Sequence, residues 1–338
     1  MRYLLTDINW LTAVIAFPIG FAGTLLVRGL AIRRDWLVPT GPGRIHRRPV
    51  PQLGGVAILA GFMAAVLVAV PMDSRVLGLM LGAVVVVIIA LADDFRDLSP
   101  RDKLIGQLLA AAIPLAFGIR IDGVSNPFGG LLILPLVLAI PFTLFWTTGM
   151  MNAINFLDGV DGLAAGVVVI ATAILVTLSV QLGQPLVATV GIALIAAALG
   201  FLPFNLFRAS IFLGDSGAHL LGYVIAVLAI MGGAKIATAL LVLGIPILDV
   251  AWAVIRRWRA GGRVAGRDTD HLHHRLLRAG LPQPAVVFAY YTVSAGFGLI
   301  ALYLHKYEKL VALGVLGVLM VVVLLVLART DLGETASE

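Results

Sequence analysis

Residues 75–97 read RVLGLMLGAVVVVIIALADDFRD, and this stretch decides the fold class. From residue 76 to residue 92 there is no charged or strongly polar side chain, and the run then ends on two adjacent aspartates. A half-buried strand would alternate polar and apolar residues, and this run does not. A helix that crosses a bilayer needs about 20 apolar residues. The stretch therefore predicts a membrane-spanning helix with an acidic end.

The same pattern recurs along the whole chain. Of its 338 residues, 60% are hydrophobic and 12% are charged, which is about half the charged fraction of soluble domains. Apolar stretches lie at 8–30, 53–72, 75–92, 104–119, 131–148, 162–182, 185–203, 217–232, 235–255, 286–304 and 308–328. The sequence predicts an all-α polytopic membrane protein with about eleven transmembrane helices and a single integral-membrane domain over 1–338. An ordinary soluble enzyme is excluded, and the absence of cysteine excludes thiolate metal sites.

Positive charges indicate the orientation of the spans. Of the 24 lysines and arginines, 17 lie in one set of connections, which comprises 31–52, 93–103, 149–161, 204–216, 256–285 and the C-terminal tail, and an eighteenth, Arg28, lies at the adjoining end of the first apolar stretch. By the positive-inside rule this set is cytoplasmic. We expect a plasma (inner) membrane protein with its N-terminus outside, its C-terminus inside and 256–285 as its largest cytoplasmic loop.

The polar residues that could bind a ligand or take part in catalysis lie almost entirely on that predicted cytoplasmic side. The first cluster is Asp93-Asp94, at the end of the third apolar stretch. Adjacent carboxylates repel each other, and a bound divalent cation relieves the repulsion; oxygen ligands suit Mg²⁺ or Mn²⁺. The alternative is a solvated helix end with no further role.

The second cluster recurs every third residue. Asn152, Asn155, Asp158 and Asp161 would share one broad face of a helix, and a glycine follows each aspartate, where backbone can approach a ligand closely. The alternative is a hydrophilic loop with Asp-Gly turns. Four amide and carboxylate groups in one register favour a binding site.

The third cluster comprises Asn205 and the segment Phe212-Leu-Gly-Asp215-Ser-Gly, just before the eighth apolar stretch. An aspartate or serine before an apolar helix is typical of an N-cap. A helix N-terminus is also a site where phosphate binds, so both interpretations are compatible.

The fourth cluster lies in the largest loop and reads Asp268-Thr-Asp-His271-Leu-His273-His274-Arg275. Its histidines could bind zinc, although no matching second cluster of ligands is present. Imidazole and guanidinium donors suit an anionic phosphate equally well. A solvated loop helix is the third interpretation.

Two further features are a basic loop and a single intramembrane acid. The loop contains His46, Arg47 and Arg48, and the positive-inside rule alone would explain its charge, whereas its paired prolines and glycines suggest a rigid shape. Asp249 lies inside the ninth apolar stretch. An intramembrane acid is a functional candidate, and the alternative is a hydrogen bond to a neighbouring helix.

Together these motifs resemble a known family. Asp93-Asp94, the 152–162 motif, the 212–217 motif and His271-x-His273-His274 occur in the order found in polyprenyl-phosphate N-acetylhexosamine-1-phosphate transferases, and RIHRRPVPQLGG at 44–55 is similar to their first loop. The resemblance covers about residues 20–305. The His-x-His-His form resembles the bacterial branch that uses UDP-GlcNAc. The branch that makes lipid I from UDP-MurNAc-pentapeptide usually has three consecutive histidines, a run that Leu272 interrupts here.

The resemblance implies transfer of GlcNAc-1-phosphate from UDP-GlcNAc to undecaprenyl phosphate, with release of UMP and with Mg²⁺ (alternatively Mn²⁺) as cofactor. Asp93, Asp94 and Asp215 would be catalytic, with Asp215 and Asp94 at the metal. The implied nucleotide-sugar residues are Asn152, Asn155, Asp158, Asp161, Asn205, Phe212, His271, His273, His274 and Arg275. The implied phosphate-binding residues are His46, Arg47, Arg48, Arg101 and Lys103. Arg101 and Lys103 compete for the place of a lysine that the family often has after its aspartate pair.

Three alternatives remain at this point. The product could be lipid I, the chain could be a transporter, or Asp93 could form a covalent aspartyl-phosphate. Transporters place their binding residues near mid-bilayer between internal repeats, and no repeat is evident here. Expected partners are the two substrates and the bilayer, with no nucleic acid. The GxxxG pair of Gly78 and Gly82 favours helix packing and, alternatively, a homodimer interface. The glycopolymer that the product feeds is not defined by the sequence.

Overall fold

The computed structural model describes residues 8–39, 48–96, 98–126, 130–233, 235–259 and 271–335. Within these ranges the chain forms thirteen helices and two short strand pairs. The helices are α1 (Leu11–Arg33), α2 (Gly54–Ala69), α3 (Ser74–Arg96), α4 (Pro100–Ala116), α5 (Leu136–Leu157), α6 (Leu163–Gln181), α7 (Pro185–Asn205), α8 (Gly214–Met231), α9 (Ile236–Val242), α10 (Gly244–Arg259), α11 (Leu272–Arg278), α12 (Gln283–Tyr303) and α13 (Lys306–Thr335). The strands are β1 (Leu37–Val38) with β2 (Val50–Pro51), and β3 (Gly123–Ser125) with β4 (Leu131–Ile133), both antiparallel.

Every predicted apolar stretch contains a helix. Eight helices in the described ranges are long and apolar enough to cross a membrane. The stretch at 235–255 forms two helices, α9 and α10, which bend by 80° at their junction and would count as a ninth span if they cross together. Two others are shorter, since α2 has 16 residues and α4 has 17. The helical class is confirmed, and the number eleven stays a prediction.

Two predicted boundaries are wrong. Residues 131–133 form a strand, because the β3–β4 hairpin closes there and α5 begins only after Pro135. The predicted loop at 149–161 is helical up to Leu157, so that Asn152 and Asn155 lie in the last turns of α5. The helix accommodates Asn152 because its side-chain amide donates to the Thr148 carbonyl, four residues earlier.

Helix α8 is the centre of the bundle. About nine-tenths of its length is buried, and it packs on α3 and α5. A second group forms around α1, which packs on α2 and α7, and α12 packs on α6. Only about a fifth of the residues are buried in the apolar part of α1 and between Tyr307 and Leu324 of α13, as expected of apolar helices that contact lipid. The most buried helix therefore carries Asp215 in its first turn.

The GxxxG pair packs inside the monomer. A Cβ at Gly78 would contact Phe117 at 2.5 Å, and a Cβ at Gly82 would overlap the hydroxyl of Tyr223. The Tyr223 hydroxyl donates to the backbone carbonyl of Leu79 at 3.2 Å. Contacts within one chain therefore account for both glycines, and dimerisation stays a prediction.

The rigid segment at 50–55 is attached to the segment that precedes α8. The Phe212 N–H donates to the Pro51 carbonyl at 2.7 Å, and the Gly54 N–H donates to the Phe212 carbonyl at 3.0 Å. Gly214 has φ +75, and a Cβ there would overlap the carbonyl oxygen of Gln52. These backbone hydrogen bonds give the prolines and glycines of the first loop a structural role, because they hold the loop against the N-terminus of α8.

We expect Gly55→Ala to destabilise the protein. A Cβ at Gly55 would overlap the backbone of Gly217, which cannot rotate away, and overpacking of this kind costs about 1–3 kcal/mol. Gly149→Ala is the matched control, because nothing lies within 4 Å of a Cβ there. Thermal unfolding in detergent measures both variants. Equal unfolding temperatures for the two would contradict the close approach of α2 and α8.

Candidate active site

The predicted polar clusters meet at one end of the helix bundle. Gln52, from the first loop, donates to the carboxylate of Asp94 at 2.9 Å, and Asp94 in turn contacts the start of α8. The 152–162 motif reaches the same end through a 3.1 Å hydrogen bond from the Gly162 N–H to Asn205. Residues as distant in sequence as Gln52 and Asp215 are therefore linked through Asp94.

Asp94 caps helix α8 from outside that helix. Its Oδ1 accepts a hydrogen bond from the Asp215 N–H at 3.0 Å, and its Oδ2 accepts one from the Ser216 N–H at 3.2 Å. The residue at the N-cap position is Leu213, which has no side-chain acceptor. The interpretation of Asp215 as an N-cap is therefore wrong. A carboxylate at a helix N-terminus satisfies free N–H groups and interacts favourably with the helix dipole.

Asp93, Lys103 and Asp215 form a second group, here called the carboxylate–lysine cluster. Lys103 Nζ lies 2.7 Å from Asp93 Oδ2 and 3.8 Å from Asp215 Oδ2. The other oxygen of Asp93 accepts from the Leu98 N–H at 2.8 Å. Lys103 lies in the first turn of α4, whose N-cap is Ser99. Arg101 is exposed, so the structure brings Lys103, rather than Arg101, to the carboxylates.

The cluster fits a divalent cation that is completed by substrate. Within the ranges that the structure describes, no three histidine or acidic side chains converge as a ready-made metal site. Asp93 and Asp215 nevertheless lie close enough to share one ammonium group. Mg²⁺ is commonly held by one or two carboxylates together with substrate phosphates and water. Asp94 is less suited, because its two oxygens already accept three hydrogen bonds.

Two loops beside the cluster are joined by side chains of the predicted nucleotide site. Asn205 accepts from the Gly162 N–H and donates to the Ile211 carbonyl, both at 3.1 Å. Asp161 accepts from the Ala209 N–H at 3.0 Å. Asn205 is buried, so we assign it to holding the two loops together.

Asp158 follows α5 and is partly exposed. Burial raises its pKa well above the ordinary range, and the negative charges of Asp215 and Asp94 raise it further. Asn155 and Phe212 are also partly exposed. A ligand can therefore reach these three residues, and the other partly exposed members of the predicted nucleotide site are Asn152, Asp161, His274 and Arg275.

Asp249 positions the histidine motif. Its Oδ2 lies 3.0 Å from His271 Nδ1, and its Oδ1 accepts from the Leu272 N–H at 3.0 Å, at the start of α11. The ring of Phe156 lies 5.0 Å from the His271 ring. Asp249 thus caps α11 as Asp94 caps α8. The structure supports the alternative in which this intramembrane acid bonds to a neighbouring segment.

His273 is almost fully enclosed, with 1% of its surface exposed. Neither of its ring nitrogens has a hydrogen-bond partner among the described residues. A Cβ at Gly159 would lie 2.5 Å from its Nε2, so the glycine leaves room for the ring. His274 and Arg275 are partly exposed beside it. The histidines are close to the 158–162 loop, and the geometry does not favour the zinc interpretation.

The remaining predicted residues divide into two groups. Arg48 is exposed at the start of the β2 segment, and Asn152 bonds to other protein groups. His46, Arg47 and the aspartates at 268 and 270 lie outside the described residues. Our sequence reasoning missed Gln52, Gln107 and His219. The signal for two of them was helical spacing, because Gln107 follows Lys103 by four residues and His219 follows Asp215 by four.

Comparison with known proteins gives the family. The sequence model of glycosyl transferase family 4 matches residues 76–233. The chain is 30% identical over 337 residues to a Bacillus subtilis protein named "Probable undecaprenyl-phosphate N-acetylglucosaminyl 1-phosphate transferase", and the match covers 96% of this chain and 94% of that protein. The chain belongs to glycosyl transferase family 4. The family expected from the motifs is therefore confirmed.

Other family 4 relatives fall into two named groups. A Mycolicibacterium smegmatis protein named decaprenyl-phosphate N-acetylglucosaminephosphotransferase is 35% identical over 306 residues, covering 80% of this chain and 75% of that protein. A Staphylococcus carnosus protein named phospho-N-acetylmuramoyl-pentapeptide-transferase is 29% identical over 329 residues, covering 90% and 99%. This family 4 member is a multi-pass membrane protein and a transferase.

We expect Asp94→Ala to destabilise the protein more than Asp215→Ala. The first change leaves two N–H groups of α8 without their acceptor, and loss of an N-cap costs about 1–2 kcal/mol. The side chain of Asp215 caps nothing, and its removal relieves repulsion between carboxylates. Thermal unfolding in detergent distinguishes the two variants. Equal losses of stability would show that Asp94 does not act as the cap.

Because the His273 ring is buried, we expect the stability of the protein to depend on pH. Burial lowers the pKa of His273 well below its ordinary range, and the neighbouring His274 and His271 lower it further. The folded protein therefore disfavours the protonated ring, so stability is lost as pH falls through the pKa of an unfolded histidine, about 6.5.

We expect wild-type protein to lose more stability between about pH 7.5 and 5.5 than His273→Leu does. Unfolding temperatures recorded across this range give both slopes. The comparison variant is His305→Leu, which removes an exposed histidine ring that faces Glu308. The same slope in His273→Leu as in wild type would contradict a buried neutral His273.

Proposed function

We propose that this protein transfers GlcNAc-1-phosphate from UDP-GlcNAc to a polyprenyl phosphate and releases UMP. The observation that carries the proposal is the carboxylate–lysine cluster at the end of apolar, span-length helices, in a chain whose relatives are named as polyprenyl-phosphate GlcNAc-phosphate transferases. A lipid acceptor is held by the bilayer, so its phosphate lies at the height of the helix ends. A water-soluble nucleotide sugar can reach the same plane from one side.

The reaction requires two anionic phosphates to approach each other. An oxygen of the acceptor phosphate forms a bond to the phosphorus that carries GlcNAc, and the bond from that phosphorus to the oxygen of UMP breaks. The acceptor supplies the nucleophile, so the protein need not form a covalent intermediate. Its contribution is to position the two phosphates and to neutralise their charge.

The carboxylate–lysine cluster would position the reacting phosphates and neutralise their charge. Lys103 is one-third exposed and can donate to a phosphate while it faces Asp93. Asp93 would orient the acceptor and hold the proton of any monoanionic phosphate. We propose that Asp215 holds Mg²⁺, with Mn²⁺ as an alternative, and that Asp93 lies beside the cation. The cation, when bound, would neutralise charge on the diphosphate.

The nucleotide sugar is proposed to bind between α5 and the histidine motif. Asn155, Asp158 and Phe212 would contact the nucleotide, and His274 and Arg275 would donate to the diphosphate or the sugar. Asn205 and Asp161 hold the loops beneath them. Asp249 keeps α11, and with it His271 and His273, in place.

We propose that this end of the bundle faces the cytoplasm and that the helices make eleven crossings. Arginines concentrated at this end support the orientation under the positive-inside rule. UDP-GlcNAc is favoured over UDP-MurNAc-pentapeptide because Leu272 interrupts the histidine run. The Leu272 side chain is buried, so the interruption is part of the packing of α11.

The test is release of UMP from UDP-GlcNAc, Mg²⁺ and undecaprenyl phosphate by purified protein in detergent. We expect release with UDP-GlcNAc, loss of release in EDTA, and a lipid product whose mass identifies the transferred sugar. Asp215→Asn should lower turnover about 100- to 1,000-fold, the scale of removing one charge-stabilising group. Asp73→Ala is the control: it removes a helix cap on α3, away from the cluster, and should retain turnover.

Two other outcomes would overturn the proposal. Transfer with UDP-MurNAc-pentapeptide but not with UDP-GlcNAc would identify lipid I as the product. No transfer with any UDP-sugar, together with substrate flux in liposomes, would identify a transporter. Phosphorylated protein recovered after incubation with UDP-GlcNAc alone would instead favour a covalent aspartyl-phosphate.

A further inference from the structure

A buried hydrogen-bond network lies one helical turn below the carboxylate–lysine cluster. Gln107 and His219 are 7% and 4% exposed, and Asn152 is partly buried beside them. Gln107 Nε2 lies 3.2 Å from Asn152 Oδ1 and 3.0 Å from His219 Nε2, while Asn152 Nδ2 donates to Gln107 Oε1 at 2.8 Å. The three residues come from α4, α5 and α8.

The direction of each hydrogen bond follows from one backbone carbonyl. Asn152 Nδ2 donates to the Thr148 carbonyl at 2.8 Å, which fixes the orientation of the Asn152 amide. Asn152 Oδ1 must then accept from Gln107 Nε2, which fixes the Gln107 amide. An amide nitrogen cannot accept, so His219 Nε2 is the acceptor and the ring is neutral, with its proton on Nδ1.

The network repeats the spacing of the cluster above it. Lys103 and Gln107 are four residues apart on α4, and Asp215 and His219 are four residues apart on α8, so each pair shares one helix face. Lys103 faces Asp215 across 3.8 Å, and Gln107 faces His219 across 3.0 Å. One turn separates these two bridges, about 5.4 Å along each helix.

The two bridges span a cleft. Helix α4 packs on α3 and α5, and α8 packs on the same two helices, so α4 and α8 face each other between them. The polar residues that line the cleft are Asp93, Lys103, Gln107 and His219, and the rest of its lining is mostly apolar. The side chain of Lys103 is long and flexible, whereas the hydrogen bond between Gln107 and His219 is buried and both of its partners have a fixed orientation.

We propose that Gln107 and His219 are positioning residues, which hold Lys103 at the distance from Asp93 and Asp215 that phosphate transfer requires. Asn152 acts with them by fixing the orientation of the Gln107 amide. Asn152 therefore has a positioning role here, instead of the nucleotide-binding role that the sequence predicted. The inference rests on the proposed function. It extends that function to a layer of residues that touches neither substrate and acts through Lys103.

The expected effect is on the chemical step. Loss of the bridge lets the face of α4 that carries Lys103 shift against α8, and a misplacement of about 1 Å at a reacting group can lower the rate about 100-fold. The residues proposed to contact the nucleotide lie elsewhere, at the end of α5, in the segment just before α8 and on α11. His219→Leu should therefore lower kcat about 10- to 100-fold and leave KM for the UDP-sugar unchanged.

The experiment compares His219→Leu, Gln107→Leu, the double variant and His219→Gln in the UMP-release assay. Each single leucine variant leaves one buried partner unpaired, so the double variant should lose less activity than the two single losses multiplied together. His219→Gln should restore kcat, because its amide oxygen can accept from Gln107. The control is Trp146→Phe, which removes a buried hydrogen bond of 3.1 Å between α5 and the Ala226 carbonyl of α8.

Trp146→Phe should lower the unfolding temperature without lowering kcat, because the hydrogen bond that it removes joins α5 to α8 and not to α4. If His219→Leu loses stability and keeps kcat in the same way, the network is only structural and the proposal is overturned. Multiplicative losses in the double variant, or no recovery in His219→Gln, would also overturn it.

A second readout does not depend on turnover. The rate at which an acylating reagent modifies Lys103, followed by mass spectrometry of wild-type protein and variants, reports the surroundings of its ammonium group. We expect His219→Leu to change this rate severalfold and Trp146→Phe to leave it unchanged. If wild-type protein transfers no sugar phosphate, the proposed function fails, and the labelling rates still decide the positioning role. An unchanged rate in His219→Leu would overturn it.

Discussion

The carboxylate of Asp94 accepts hydrogen bonds from the first N–H groups of α8, and most of the site depends on this contact. It joins α3 to the most buried helix of the bundle, and Gln52 joins the first loop to the same carboxylate. Asp93 is the neighbour of Asp94 in the chain, and the Asp215 N–H donates to the Asp94 carboxylate. This one cap therefore sets the relative position of Asp93 and Asp215, the two carboxylates in the cluster. An apolar bundle has few directional contacts, so a few buried polar bonds define its register.

Asp249 uses the same interaction at the other side of the site. Its carboxylate accepts from the start of α11 and bonds to His271, so the histidine motif is held by a helix that bends by 80° from its neighbour. In both places an acid from one helix satisfies the free N–H groups of another. The aspartates that the sequence marked as functional candidates therefore divide into two kinds: Asp94 and Asp249 hold helices, whereas Asp93 and Asp215 face the lysine.

Much of the fold and of the candidate site could be predicted from the sequence. Each continuous apolar run predicts a helix, and the structure has a helix in every one of them. The positive-inside rule predicts that the polar clusters share one end of the bundle, and the structure brings them together there. The 80° bend could not be predicted from apolar length, since the run continues through Leu243 and Gly244. The cap by Asp94 requires contact with residues more than 120 positions away, and no local pattern encodes that. Helical spacing relates Gln107 to Lys103 and His219 to Asp215, but it does not show that the two helix faces meet, so sequence reasoning missed both residues.

The central claim is that Asp94 positions α8 while Asp93 and Asp215 serve the reacting phosphates. The most direct measurement is an anomalous-scattering map of crystals grown with Mn²⁺ and UDP-GlcNAc. The account predicts a manganese peak coordinated by Asp215, with Asp93 beside it, and Asp94 still bonded to the N-terminus of α8. A peak coordinated by Asp94, with the start of α8 uncapped, or a peak at the histidine motif would contradict it.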